Sequence, residues 1–137
     1  MWVGILAAQA GCAEGVRWRA YSFDSVFADS VRDGKLTFVY FRSWSDVGCT
    51  RFEEDVLKDA AVLKATRDLY CVPLEYSVDR PLASQWNIVT VPGVVILDPR
   101  RRVLVKLSGA ITKQQLLDGI AVALQQYAAS VLPRPSP

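Results

Sequence analysis

The residues of this chain with the most reactive side chains are its three cysteines, Cys12, Cys49 and Cys71. They are widely separated, and no two of them form a C-x-x-C pair. Histidine is absent, which excludes Ser-His-Asp and Cys-His nucleophile chemistry and removes the commonest metal ligand. The cysteine spacing fits neither a zinc site nor a disulfide-rich secreted scaffold, so we expect no metal and no cofactor.

The composition is that of one globular domain. The chain has 137 residues, of which 51% are hydrophobic and 22% are charged. The net charge of +2 is too small to draw nucleic acid or an anionic membrane to the molecule as a whole. The basic run Arg100 to Arg102 follows Asp98-Pro99, so we interpret it as a solvated hairpin tip. We therefore expect protein partners and no nucleic acid.

The two ends of the chain differ in composition from the domain between them. Residues 1–16 are either an N-terminal extension or the remnant of an export signal, because Trp2–Ala8 is apolar and Ala8-Gln9-Ala10 resembles a cleavage site. A basic segment before the apolar run is missing, and the run is too short to span a bilayer. Cys12 is a candidate for lipidation. We expect an exported protein, periplasmic or in the cell envelope, with membrane contact only through the N-terminus; a cytoplasmic location stays open. Residues 131–137 form a proline-rich tail.

Residues 17–130 alternate strand-like and helix-like segments, in the order β-α-β-α-β-α-β-β-α. The predicted elements are strand 17–21, helix 23–33 capped by Ser22, strand 36–42, a helical region 49–69 that continues or restarts at Asp59, strand 70–78, helix 82–86, strands 93–97 and 103–107, and a final helix after the capping pair Thr112 and Gln115. A parallel start followed by an antiparallel hairpin predicts an α/β domain with a mixed central sheet and helices on both faces.

This order and three local signatures resemble the thioredoxin superfamily, in its secreted single-domain branch, over residues 17–127. Lys35–Cys49 is similar to the family's central strand and W-C-x-x-C loop. Cys49–Val62 is similar to the helix that follows, including a glutamate four residues after the second cysteine. Val78–Asp98 is similar to the family's strand-end aspartate, short helix and cis-proline loop. The alternative is another α/β domain, with Pro92 trans and Cys49 an ordinary buried residue.

The resemblance implies that the attacking cysteine of the family is missing. Cys49 corresponds to the second cysteine, and the attacking position holds Asp46, or Ser45 if one residue has been inserted. Neither a carboxylate nor a hydroxyl attacks a disulfide productively. Tyr40 stands where the family often has a buried acid, and Glu75 stands where it commonly has a lysine. We expect Cys49 to be shielded and mostly protonated, and not bonded to Cys71.

We therefore expect a redox-inactive, protein-binding or accessory subunit with a degenerate active site. The resemblance places its binding residues at Trp44, Ser45 and Asp46, and at the cis-proline loop of Val91 and Pro92, where extended peptide binds in the family. Trp86 belongs either to this groove or to the core, and we favour the core. The alternative function is a monothiol redox protein that uses Cys49.

Overall fold

The computed structural model describes residues 15–19 and 22–131. Its helices and strands follow the predicted order from the first helix onward. The elements are α1 (Phe23–Asp33), β1 (Thr37–Arg42), α2 (Val47–Asp55), α3 (Ala60–Thr66), β2 (Tyr70–Glu75), α4 (Arg80–Gln85), β3 (Gly93–Leu97), β4 (Val103–Ser108) and α5 (Lys113–Val131).

The strands form one four-stranded sheet in the order β2-β1-β3-β4. β1 is parallel to β2, with Phe38 opposite Cys71, and antiparallel to β3, with Phe38 opposite Ile96. β3 and β4 form an antiparallel hairpin. The predicted α/β class and mixed sheet are confirmed. β1 is internal and covered on both sides, which explains why its sequence is apolar without alternation.

Two apolar cores cover the two faces of the sheet. Phe38 and Tyr40 point to one face, where α2, α3 and α5 pack, and Val39 and Phe41 point to the other, where α1 and α4 pack. Successive side chains of a strand alternate between the two faces. The same strand therefore joins both cores and ends at the loop that carries the candidate site.

The predicted helix caps are present. The Ser22 hydroxyl accepts the amide of Ser25, and α1 ends at Gly34, whose φ of 67° is left-handed. Thr112 and Gln115 form reciprocal bonds at the start of α5, from Gln115 N to Thr112 Oγ1 at 3.1 Å and from Thr112 N to Gln115 Oε1 at 2.9 Å.

Three sequence predictions about the elements need correction. Of the predicted strand 17–21, the described part forms only a single bridge, from Trp18 to Cys71. β2 ends at Glu75 rather than at residue 78, because the next residues turn and the amides of Val78 and Asp79 both bond the Glu75 carbonyl. The helical region predicted at 49–69 begins earlier, at Val47, and ends at Thr66; of its two alternatives the restart is correct, because Asp59 caps α3.

Pro73 lies on the edge strand β2, where its missing amide costs no ladder bond. The predictions on the apolar run, on Cys12 and on most of the proline-rich tail concern residues 1–14 and 132–137, which lie outside the described residues. Within the described residues, no helix has the length and apolar character needed to cross a membrane.

Candidate functional site

The candidate site lies where the loop after β1 meets the loop before β3. Because these strands are antiparallel, with Phe41 opposite Gly93, the end of one adjoins the start of the other. The Val91–Pro92 peptide bond is cis. A Cβ atom built on Gly48 would lie 3.8 Å from the Cδ atom of Pro92, so the proline faces the first turn of α2.

Cys49 is the third residue of α2, and its side chain is fully buried, with 0% of the residue exposed. The Sγ atom accepts the amide hydrogen of Ser43 at 3.4 Å. Burial raises the pKa of the Cys49 thiol, and the Asp46 carboxylate raises it too, whereas the Ser43 amide and the Tyr40 hydroxyl lower it; the net shift is upward. The sulfur is therefore a neutral thiol beneath the surface.

Asp46 is the N-cap of α2. Its Oδ1 atom accepts the Cys49 amide at 2.9 Å, and its carbonyl accepts the Thr50 amide at 3.2 Å. A helix N-terminus favours negative charge because its first amides have no intrahelical partner. In a dithiol protein a thiolate benefits from that position. Here the Asp46 carboxylate accepts the Cys49 amide hydrogen instead. The N-cap position of α2 therefore holds a carboxylate and not a nucleophilic sulfur.

Gly48 allows this cap to form. A Cβ atom at residue 48 would come within 2.9 Å of the Asp46 Oδ1 atom, closer than real Cβ contacts allow. A side chain there would push the carboxylate away from the Cys49 amide. Glycine at residue 48 therefore leaves the Asp46 carboxylate room to accept the Cys49 amide hydrogen.

No second sulfur among the described residues is bonded to Cys49. Cys49 and Cys71 are both free thiols. Cys71 lies in β2, opposite Phe38, and burial raises the pKa of its thiol to about 12. This agrees with the expectation that Cys49 and Cys71 do not form a disulfide. Cys71 is a small core residue.

A polar network beside Cys49 was not predicted from the sequence. The buried Tyr40 hydroxyl donates to the Oε2 atom of Glu53 at 2.8 Å, and the Nε atom of Arg42 donates to the same oxygen at 3.0 Å. Arg42 also pairs with Glu75, at 3.5 Å. Burial and the Glu53 carboxylate both raise the pKa of Tyr40, so its hydroxyl stays protonated. Glu53 thus supplies an acid from α2 next to the position that Tyr40 fills in β1.

The cis-proline loop borders a groove of about 540 Å³ between α2 and the loop that joins β4 to α5. Its floor is apolar and its rim is polar. The residues that line it are Gly48, Arg51, Phe52, Asp55, Val56, Thr90, Val91, Pro92, Gly109, Ala110, Ile111 and Thr112. The Gly109 amide bonds the Pro92 carbonyl at 2.9 Å, which fixes the two loops to each other. The groove can hold one apolar side chain together with a stretch of extended backbone.

The structure brings only part of the predicted site together. Val91 and Pro92 line the groove, whereas Trp44 and Ser45 are exposed outside it, Trp44 with 76% of its surface accessible. Trp86 is buried in the core formed with α1, with its ring centroid 5.4 Å from that of Phe23. The core interpretation of Trp86 is therefore correct. The loop residues Gly109 to Thr112 were not predicted, because nothing local in the sequence connects them to residue 92.

The described part of the chain contains no group of three or more Cys, Asp or Glu side chains suited to hold a metal ion. Two of the carboxylates near the site have other partners. Glu53 bonds Tyr40 and Arg42, and Asp46 caps α2.

Most of the solved structures that share this fold are redox proteins. A thioredoxin from Thermus thermophilus matches with a TM-score of 0.74 and 20% identity, over 85% of this chain and 92% of that one. The oxidoreductase DsbH matches with a TM-score of 0.67 and 16% identity, over 82% and 87% of the two chains. A thioredoxin h from poplar matches with a TM-score of 0.64 and 18% identity, over 80% and 96%. Neither a known family model nor a curated protein sequence matches this chain.

These likenesses show that the chain has the thioredoxin fold. The thioredoxin-like assignment made from the residues is thereby confirmed at the level of the fold. The sequence identities are too low to carry any activity from the relatives to this chain.

Proposed function

We propose that this protein is a non-catalytic thioredoxin-fold module that binds an extended segment of a partner protein in the groove beside Pro92. The observation that carries the proposal is at the first turn of α2. The Asp46 carboxylate occupies the place of an attacking thiolate, while the nearest sulfur, that of Cys49, is fully buried. Dithiol exchange needs an accessible thiolate and a second thiol within reach.

The loop before β3 offers unpaired backbone hydrogen-bonding groups to such a segment. The amide and carbonyl of Val91 form no hydrogen bond with any described residue. Extended peptides bind by pairing with free backbone groups of this kind, and pockets for their side chains provide specificity. Since the Pro92 carbonyl is already bonded to Gly109, pairing is confined to the residues before the proline.

The groove also defines the chemistry of the segment. Phe52, Val56 and Ile111 are buried apolar residues that line it, and they suit one aliphatic or aromatic anchor side chain. Arg51 and Asp55 lie at the rim with opposite charges, so together they add no net charge to the groove. We infer a partner segment that is extended, uncharged at its centre and anchored by one apolar residue.

A monothiol redox function is less well supported. It requires Cys49 to form mixed disulfides with glutathione or with a partner thiol. The sulfur has no exposed surface, and its pKa is raised rather than lowered. Activated cysteines have the opposite properties. The proposal therefore assigns no catalytic role to Cys49.

Selection from a library of random extended peptides displayed on phage tests the binding function. We expect the enriched peptides to share one apolar position and to lose at least about tenfold in affinity for a Val91→Asp variant. Val122→Asp is the matched control, because Val122 is exposed on α5, outside the groove. Enriched peptides that bind the Val91→Asp variant as tightly as the wild type would contradict the proposal.

A disulfide-reductase assay tests the absence of catalysis. Neither the wild type nor a Cys49→Ala variant should reduce insulin disulfides above the rate of the buffer. Turnover by the wild type that disappears in Cys49→Ala would instead support the monothiol function.

A further inference from the structure

A second concave site shares no lining residue with the groove beside Pro92. It is a cavity of about 260 Å³ between the N-terminal segment and α3, called here the basic pocket. Its lining residues are Gly15, Arg17, Ala60, Leu63, Lys64, Thr66 and Arg67. Three of these residues are cations and none is an acid, so the pocket is suited to an anion.

The cations of the basic pocket have no partners among the described residues. Arg17, Lys64 and Arg67 are exposed and form no ion pair within residues 15–19 and 22–131. Other arginines of the chain are paired, for example Arg32 with Asp33 and Arg42 with Glu53. The net charge of the whole chain is small, but the basic pocket places three cations, unpaired in the described part of the chain, around one cavity.

Helix stability explains part of this arrangement. Lys64 lies in the last turn of α3 and Arg67 is its C-cap residue, where cations interact favourably with the helix dipole. Arg17 comes from a different segment, next to the bridge between Trp18 and Cys71. The dipole of α3 does not account for its presence in the pocket.

We propose that the basic pocket binds the phosphate groups of an anionic phospholipid surface. The chain itself favours this source of phosphate, because the apolar run Trp2–Ala8 precedes Gly15 by only a few residues. An extended chain spans at most about 3.6 Å per residue. Ala8 can therefore lie no more than about 25 Å from Gly15, so a membrane contact of the apolar run keeps the pocket within that distance of the contact.

Co-sedimentation of the full chain with lipid vesicles tests this proposal. One set of vesicles contains phosphatidylcholine with about one third phosphatidylglycerol, and the other contains phosphatidylcholine alone. A basic residue at an anionic surface contributes about fivefold in affinity. The triple variant Arg17→Gln, Lys64→Gln and Arg67→Gln should therefore lose roughly 100-fold in binding to the anionic vesicles.

A second triple variant serves as the charge-matched control. Lys35→Gln, Arg80→Gln and Arg100→Gln remove the same charge from residues outside the basic pocket, and binding should change by less than about threefold. Circular dichroism and thermal unfolding establish that both variants are folded. Equal losses in the two variants would overturn the proposal, since net charge would then govern binding.

Two further outcomes would also overturn it. Equal binding of the wild type to both kinds of vesicle would show that the anionic headgroup is not recognised. Displacement of the protein from anionic vesicles by inorganic phosphate, but not by chloride at the same ionic strength, would identify free phosphate as the ligand.

Discussion

The carboxylate of Asp46 accepts the amide hydrogen of Cys49, at 2.9 Å, in the first turn of α2. The two positions are three apart in the sequence, which is the spacing of an N-cap side chain and its helical donor. In a C-x-x-C motif the same spacing joins the two sulfurs. The carboxylate that caps α2 therefore stands where a C-x-x-C motif ending at Cys49 would have its first sulfur.

Asp46→Cys should restore thiol chemistry. It creates the sequence Cys-Val-Gly-Cys, with a sulfur at the helix N-terminus where the thiolate is stabilised. We expect a disulfide between residues 46 and 49 after mild oxidation, and measurable insulin reduction. Loss of two free thiols, measured by alkylation and mass spectrometry, checks the first point.

Ser45→Cys is the control for this variant. It places one more residue between the sulfurs and leaves the Asp46 cap in place. We expect it to remain inactive. Activity in Ser45→Cys but not in Asp46→Cys would mean that residue 45 is the true equivalent of the attacking position.

Asp46→Ala should destabilise the protein by about 1 kcal/mol, because the Cys49 amide loses its partner. Asp46→Asn should retain most of that stability, since its side-chain oxygen accepts the same hydrogen bond. The Asp46 carboxylate raises the pKa of the Cys49 thiol, so both variants should lower it. Urea denaturation gives the free energy of unfolding, and equal values for Ala and Asn would contradict the cap.

Tyr40→Phe keeps the ring in the core but removes the hydroxyl that donates to Glu53. We expect a loss of about 1 to 2 kcal/mol in the free energy of unfolding, as for hydrogen bonds to charged groups. The hydroxyl also lowers the pKa of Cys49, so the variant should raise it. A variant as stable as the wild type would show that the network contributes nothing to folding.

Stability should fall as the pH rises above about 9, the usual range of a thiol pKa. Burial raises the pKa of Cys71 to about 12 and that of Cys49 in the same direction. Below about pH 9 the folded and the unfolded chain both keep these thiol protons. Above it the unfolded chain releases protons that the folded chain retains, so each thiol lowers the free energy of unfolding by about 1.4 kcal/mol per pH unit.

Cys71→Ala tests this assignment, because it removes one of the two raised thiols. Denaturation curves at several pH values between about 8 and 11 should show a shallower decline for the variant than for the wild type. The same slope in both proteins would mean that Cys71 does not cause the alkaline loss of stability.

The sequence predicted the features of the fold that depend on local patterns. Ser22, Gly34 and the pair Thr112 and Gln115 end or begin helices through contacts with residues three or four positions away, and such spacings are visible in a sequence. The cap at Asp46 had the same kind of signal, an aspartate just before a helix. It was missed because the loop was expected to extend through Gly48.

Features that depend on long-range contacts were not predictable in this way. The link between Tyr40 and Glu53 joins β1 to α2, and the groove joins Pro92 to Ile111. In the described residues the strand expected at 17–21 has a single bridge, with Trp18 opposite Cys71 and the Arg19 amide bonded to the Cys71 carbonyl. Such pairings are decided by how the layers pack, which periodicity alone does not specify.

The effects of substitutions at residues 46 and 48 on stability depend on each other, because the two residues are in contact. Alanine normally stabilises a helix by about 1 kcal/mol relative to glycine, but here its Cβ atom would displace the Asp46 carboxylate. We expect Gly48→Ala to stabilise an Asp46→Ala background and to give little or no gain in the wild type, a coupling of about 1 kcal/mol in a double-mutant cycle. A side chain at residue 48 and a carboxylate cap at residue 46 therefore exclude each other, so whichever substitution comes first uncaps α2, and the second then follows without a further loss of the cap.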